Sequence, residues 1–469
     1  MVWRTIWAVL SQTWYVPDET WQSVEVAHKV VWGKGVYTWE WDKAIRSSLH
    51  PTIFIMMFKT LDLMHLDYQW VVVLLPRVMT GVLTALSDYA AFTMVRKREG
   101  SPCAAWFLLL LQTNWFLLYS GSRTIINTLE TSLFCLGLSM FPKPLFLSIA
   151  SLTVMLRPTI AIPWLPVCLG HLLTVLKHNG VIRVIHLSIL PVITVILVFL
   201  LDSMFYGFWT LTPFNFFQVN ILHNLGQFYG THPPFWYLTH ALLPILGPIL
   251  VPAVLGLYKS PTSLVILPVF FTIIFLSILP HKEMRFLQPI LPLLFYSAAR
   301  YLSSWANRTP SSTWVLCMFL INIPIALYLS LMHQRGTVDV SLWLGTSGHR
   351  SSMFLMPCHS TPLYSHVHSN ISLSFLSCEP DFSQTPGYRD QAEIFYSAPL
   401  RWLEESFPRS MQNIMPDSFI LFDKLEAEIK PFLTGRGFTL GKSFFHSHAA
   451  EGRVGHNVLV YCKELGCVV

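Results

Sequence analysis

Apolar runs long enough to cross a bilayer recur through the first 332 residues, and that repetition restricts the chain to an α-helical membrane protein. A span needs about 20 apolar residues to cross roughly 30 Å of hydrocarbon. Continuous runs fall near 70–95, 103–119, 184–202, 237–257, 262–279, 287–302 and 314–332. Two closely spaced runs, 126–141 and 144–176, follow one another, and the second is broken by Arg157-Pro158. Such breaks survive at membrane depth only where protein or a wet cavity satisfies the backbone. Only 12% of the 469 residues are charged and 53% are hydrophobic, whereas soluble domains carry roughly 25% charged residues. An ordinary soluble enzyme is excluded.

Charge gives the direction. Residues 5–16 are read as a first transmembrane helix whose amino-terminal part is abbreviated. In 49–66, Lys59, Asp62 and His65 recur at three-residue spacing, which suits a helix lying in the interface. About eleven spans result. A cytosolic amino terminus then places Arg96–Arg98, Lys143, Lys177, Arg183, Lys259, Arg300 and Arg308 on the cytosolic side, as the positive-inside rule asks. The luminal side receives 17–66, 120–125, 203–236, 280–286 (with the turn 281–286) and the tail. The tail, 333–469, has 11 Lys+Arg against 13 Asp+Glu, leaving 20 basic and 12 acidic residues in 1–332. We therefore expect a transmembrane catalytic domain, 1–332, and a luminal soluble α/β domain, 333–469. No nucleic-acid partner is indicated, because the longest basic cluster, Arg96–Arg98, adjoins a span.

Four polar constellations fall on the luminal segments. In the first, Pro17-Asp18-Glu19-Thr20-Trp21-Gln22-Ser23-Val24-Glu25, two adjacent carboxylates leave a membrane helix. An acidic pair there also suits a helix start, but desolvation at the bilayer edge fits a carboxylate to be a general base. The second, His281-Lys282-Glu283-Met284-Arg285-Phe286, sets three potential cations in five positions, a phosphate-holding chemistry. Its plain alternative is a solvated turn. The third is Arg123, Asn127 and Glu130 at i, i+4 and i+7, with Arg77 and Asp88 sharing a face in the same way. The fourth, 214–237, interleaves amides with aromatic rings. There Asn220, His223, Asn224 and Gln227 follow helical spacing and suit sugar hydroxyls or an interfacial aromatic belt.

In the tail, His366-x-His368 and His446-x-His448 would each put two imidazoles on one strand face, but no third ligand follows at a metal spacing. No metal is expected. Asn370-Ile-Ser372 is a glycosylation sequon on the luminal side; Asn307-Arg-Thr309 falls in the cytosol. Cys358 and Cys378 suit a disulfide in an oxidising lumen, with free thiols as the alternative.

Val16-Pro-Asp-Glu-x-Trp-Gln-Ser23 together with His281-Lys-Glu-x-Arg-Phe286 resembles the paired signatures of the dolichyl-phosphate-mannose-dependent mannosyltransferases of the endoplasmic reticulum, glycosyltransferase family 22. Tyr37–Trp41, Phe214–Tyr229, His333–Thr337, Met356–Pro362 and Phe445–Arg453 are similar to the branch that adds the third mannose of the glycosylphosphatidylinositol (GPI) precursor. The resemblance implies a GT-C type fold and α1,2-transfer at the luminal face. Its donor is dolichyl-phosphate-mannose, and its acceptor is the GPI precursor glycolipid, both within the lipids of that membrane. It implies Asp18, with Glu19 beside it, as the catalytic carboxylate. His281, Lys282 and Arg285, with Arg335, would hold the donor phosphate. Arg123, Asn127, Asn220, His223, Asn224 and Gln227 would line the sugar. A β-linked donor giving an α-linked product demands inversion, hence one base, and phosphate leaves without a dedicated acid. No cofactor is implied. A luminal lipid transporter, or a mannosyltransferase acting on the N-glycan precursor, remains the alternative; an inverted repeat would favour the transporter, and no half-chain similarity is present.

Overall fold

A computed structural model describes residues 1–463 apart from 224, 260–262, 307–308, 383–384, 386 and 409–414. The chain forms two compact units, Met1–Val9 with Glu40–Ile53 and Arg77–Ala326, and Leu10–Trp39 with Phe54–Pro76 and Leu327–Val469. This division differs from a boundary at 332: the segments 10–39 and 54–76 group with the tail.

Among the described residues, four helical stretches are long and apolar enough to cross a membrane: Gln69–Glu99, Pro158–Tyr206, Tyr237–Lys259 and Ser312–Thr346. At 1.5 Å per residue the second would run roughly 73 Å, far more than one crossing needs. It is broken at Gly180, whose φ of 76° and ψ of 177° leave the helical region, so it reads as two passes. Shorter apolar helices, Ser101–Thr113, Leu145–Leu156 and Leu264–Ile278, complete the apolar set. The break expected at Arg157-Pro158 is present. Arg157 turns to φ −153°, ψ 116°, because the proline ring crowds an α conformation at the preceding residue. Helix Leu49–Leu63 is roughly 22 Å long, short of the hydrocarbon thickness, and exposes Met56 and Leu63.

A buried ion pair ties the first helix into its unit. Arg4 Nε donates to Asp88 Oδ2 at 2.9 Å, while its Nη1 and Nη2 donate to the Leu117 and Leu111 carbonyls. Gln112 Nε2 donates to the same Asp88 oxygen at 2.8 Å. Sharing a helix face does not make Arg77 the partner of Asp88. Eleven residues of helix separate those two by roughly 16 Å, beyond side-chain reach, and Asp88 takes a partner from another helix.

The second unit is built on a five-stranded sheet, β1 (Ser351–Leu355), β2 (Ser372–Phe375), β3 (Ser418–Phe422), β4 (Phe438–Phe445) and β5 (Asn457–Lys463). The order is β2-β1-β3-β5-β4. β1 runs parallel to β2 and β3, while β5 is antiparallel to β3 and β4. Successive side chains face opposite ways, so Phe419 and Leu421 join one core with Ile429 and Leu433 of helix Asp423–Gly435. Ile420 and Phe422 join the other, with Trp14, Trp21, Val338 and Leu363. Both faces of β3 are covered, and all five of its residues are buried. Trp14 and Trp21 explain why 10–39 belongs to this unit: they form part of the tail's own core.

Candidate active site

The acidic turn lies in the second unit. Glu19 N and Thr20 N donate to the Val16 and Pro17 carbonyls, and Thr20–Val24 then winds as a π-helix, a wide turn common at functional sites. The winding separates the two carboxylates. Asp18 is half-buried, whereas Glu19 is 1% exposed. Trp21 Nε1 donates to the Thr361 carbonyl at 3.1 Å, and the His359 ring meets the Trp21 ring edge-on at 4.4 Å. Asp18 acts electrostatically on His359. Cys358 and Cys378 are joined by a disulfide with their Cα atoms 6.0 Å apart, so this bridge braces the loop that faces the acidic turn. The Cys358, His359 and Cys378 ligand atoms lie within 4.8 Å of one another, but the sulfurs are bonded to each other.

Glu25 anchors the same segment from its other end. Its carboxylate accepts from Tyr364 N and Ser365 N at 3.0 and 2.9 Å, the opening amides of helical turn Tyr364–Val367. His28 Nε2 meets His368 Nδ1 at 2.9 Å, and His368 Nε2 meets Asp67 at 3.4 Å. The strand-face pairing imagined for His366 and His368 is thus corrected: 364–367 is helical, so the two rings diverge. His446 and His448 follow the end of β4, and His448 Nδ1 meets the Tyr328 hydroxyl at 3.0 Å.

The cationic turn lies in the first unit. Glu283, not the three cations, is its hub. Arg285 Nε and Nη2 donate to Glu283 Oε2 and Oε1 at 2.7 and 2.6 Å, and His281 Nε2 lies 3.1 Å from Oε1. Burial works to raise the Glu283 carboxyl, but Arg285 and His281 outweigh it and hold the group below the usual carboxylate range. Lys282 does not join them. It is 2% exposed and its Nζ donates to the His232 and Leu279 carbonyls, so the ammonium fastens loop backbone. His232 N in turn donates to the Pro280 carbonyl at 3.0 Å.

Behind this turn, helix Ile126–Met140 packs on the 3-10 turn Met284–Ile290. Gln288 Nε2 donates to Thr128 Oγ1 at 3.3 Å, Asn127 Nδ2 donates to Glu130 Oε2 at 3.2 Å, and Arg157 Nη1 lies 3.6 Å from the same carboxylate. Three buried acceptors here, Asn127 Oδ1, Glu130 Oε1 and Gln288 Oε1, have no hydrogen-bond donor among the described residues. A buried polar atom left so costs about 1–3 kcal/mol, and three acceptors in one cluster match the hydroxyls of a sugar. Arg123 departs from its expected place. The helix begins at Ile126, so Arg123 sits in the preceding turn with Nε on the Tyr119 carbonyl.

The amide stripe is corrected too. Gln218–Leu222 is a π turn and Leu225–Tyr229 a 3-10 turn, so the backbone changes pitch and helical spacing is lost. Asn220 Nδ2 returns to the Phe216 carbonyl and His223 is exposed; Asn224 and the Gln227 side chain lie outside the described residues. Arg335, in the second unit, donates from Nε to both Asp339 carboxylate oxygens, at 3.2 and 2.9 Å. Asn370 is exposed and accepts from Lys34 Nζ. Sequence reasoning passed over Arg157 as a partner of Glu130, although an ionised residue inside an apolar run signals a function or a pair. It also passed over Gln288 and His359, whose partners are remote in sequence.

Titration in the second unit has a definite sign. Burial pushes Glu25 up to about 7 and holds His28, His359 and His446 each down to about 4. For each histidine the unfolded chain takes a proton near pH 6.5 that the folded chain refuses until about 4, so stability falls as pH drops through that window. Glu25 works the other way between 4.5 and about 7. Burial also lowers His333 and raises Asp339, so the lowered histidines outnumber the raised carboxyls; the melting temperature of the whole protein in detergent should fall from pH 6.5 to 4.5, and His28→Gln should flatten the slope. A melting temperature that rises on acidification would contradict this assignment.

Residues 1–368 match the sequence profile of the Alg9-like mannosyltransferase family. GPI alpha-1,2-mannosyltransferase 3 of Danio rerio is 37% identical over 98% of this chain and 88% of its own length. The Homo sapiens protein of that name is 35% identical over 98% and 86%. Among solved structures, ArnT from Cupriavidus metallidurans bound to undecaprenyl phosphate aligns with a TM-score of 0.59 at 12% identity, covering 98% of this chain and 96% of that one.

Proposed function

Because the chain belongs to the Alg9-like mannosyltransferase family, we propose that it transfers the third, α1,2-linked mannose from dolichyl-phosphate-mannose to the GPI-anchor precursor at the luminal face of the endoplasmic reticulum. It is a multi-span membrane glycosyltransferase with the GT-C fold of ArnT, and it uses a sugar-lipid donor and a glycolipid acceptor. The observation that carries the finer reading is the similarity to GPI alpha-1,2-mannosyltransferase 3 proteins across nearly the whole chain, tail included.

The chemistry is a single inverting displacement. Asp18 takes the proton of the acceptor hydroxyl as that oxygen bonds the anomeric carbon, and the bond from that carbon to the phosphate oxygen breaks. Dolichyl phosphate leaves with the electron pair, its charge met by Arg285, a fork-shaped donor suited to phosphate. The open acceptors Asn127 Oδ1, Glu130 Oε1 and Gln288 Oε1 receive sugar hydroxyls. We assign the step no cofactor, since a phosphomonoester leaving group needs no diphosphate-chelating metal.

Microsomes lacking the protein should accumulate a two-mannose GPI precursor, which the wild type clears and Asp18→Asn does not; accumulation of any other intermediate would move the enzyme to a different step. Losing a charge-assisted phosphate contact costs about 1.5–3 kcal/mol. Arg285→Ala should therefore raise the donor KM or slow turnover by about ten- to a hundredfold, and an unchanged donor titration would remove Arg285 from the site. Eleven spans from a cytosolic start leave 333–469 in the lumen. Protease added to sealed microsomes should spare the tail, and glycosidase treatment should shift the protein by one glycan at Asn370. Digestion of the tail would mean that 49–66 crosses the membrane or that a span is miscounted.

A further inference from the structure

The phosphate-binding turn already contains an anion. Glu283 grips Arg285 through two parallel bonds, Nε to Oε2 at 2.7 Å and Nη2 to Oε1 at 2.6 Å, the geometry in which a guanidinium also takes a phosphate. The same Oε1 faces His281 Nε2 at 3.1 Å. The other ring nitrogen, Nδ1, faces the Gly230 carbonyl at 3.3 Å, so both nitrogens of His281 are engaged at the turn. The Arg285 side chain is 6% exposed and Glu283 25%, so the cation is buried while its counter-ion keeps an edge toward solvent. Lys282 is held by backbone carbonyls and cannot exchange partners cheaply. Arg285 and His281 are thus both engaged by one carboxylate.

We propose that Glu283 is a built-in stand-in for the donor phosphate: it neutralises Arg285 and His281 between turnovers, is displaced by the incoming lipid phosphate, and returns to expel the product dolichyl phosphate. This inference rests on the reading of Arg285 as the phosphate ligand. Donor and product carry the same phosphate, so a site that held it unopposed would retain its product. A competing internal anion lowers the population of the binding-competent state and weakens both ligands by that fraction. Arg285 is kept charged and oriented throughout, since a buried guanidinium stripped of its partner would be costly. The low-lying Glu283 carboxyl agrees, because a group held ionised by its two neighbours stays available as an anion across the working pH range.

The test is equilibrium binding of dolichyl phosphate to the purified full-length protein in lipid nanodiscs, paired with product inhibition of mannose transfer. Glu283→Gln keeps the shape and removes the charge. It should bind dolichyl phosphate about ten- to a hundredfold more tightly, lower the donor KM and the product inhibition constant in parallel, and reduce kcat as release slows. A residue that merely props up Arg285 would give the opposite, weaker binding on substitution. Equal or weaker binding by Glu283→Gln therefore overturns the inference. Should that variant not fold, Glu283→Asp retains the charge but is too short for the two-pronged grip; it should bind about three- to tenfold more tightly, and equal or weaker binding again overturns the proposal. Arg285→Ala separates the two levels. If it binds dolichyl phosphate as the wild type does, the phosphate reading itself fails; if it loses binding while Glu283→Gln matches the wild type, only the stand-in role fails.

Discussion

Asp18→Asn should lower kcat by about 10²–10⁴-fold, the usual contribution of a general base, while leaving protein level and donor binding unchanged. The substitution is nearly isosteric and removes only the basic oxygen. Glu19→Gln should hurt less. Glu19 is buried to 1% exposure and Asp18 is half-buried, so Asp18 is the more accessible carboxylate of the pair. Glu25 is a poor substitute, because both its oxygens accept backbone amides of 364–365. Glu283 is likewise engaged by Arg285 and His281. If Glu19→Gln abolishes transfer and Asp18→Asn does not, the two roles are reversed.

The second large effect is on stability. Arg4→Met should destabilise the first unit by about 3–5 kcal/mol, because breaking a buried ion pair strands the remaining charge. Asp88 would keep the Gln112 amide, and the Leu111 and Leu117 carbonyls would lose the guanidinium, Leu117 retaining Gly121 N. The double variant Arg4→Met, Asp88→Leu should recover much of the loss, since paired removal leaves no uncompensated charge. Thermal unfolding of the purified protein in detergent reads both. A double variant no better than the single one would show that the pair itself, and not the stranded carboxylate, sets the cost.

The sequence made the local features legible. Arg157-Pro158 predicts a break because proline acts on its immediate neighbour, and the helix ends there. The acidic turn and the cationic turn are contiguous strings whose chemistry is visible without a fold. What stayed hidden depends on partners distant in the chain. Arg4 reaches Asp88 across 84 positions, and nothing in the 70–95 run distinguishes that carboxylate's partner from Arg77. Trp21 reaches Thr361 across 340 positions, which is why 10–39 could be read as a loop of the membrane domain although it helps form the core of the tail's sheet. Regular helical spacing over 220–227 is interrupted for a different reason: the backbone passes from a π turn to a 3-10 turn. Glu283 is visible in the motif, but counting charges says nothing of its geometry, in which one carboxylate engages both Arg285 and His281.

The central claim is that this one chain carries out the transfer, with Asp18 as base. The most direct measurement supplies purified protein in nanodiscs with dolichyl-phosphate-mannose and a two-mannose GPI acceptor, then determines the linkage of any product. The account predicts a three-mannose product with a new α1,2 bond from the wild type, and a rate lower by about 10²–10⁴-fold from Asp18→Asn. No transfer by the wild type, or a product formed equally well by Asp18→Asn, would contradict it.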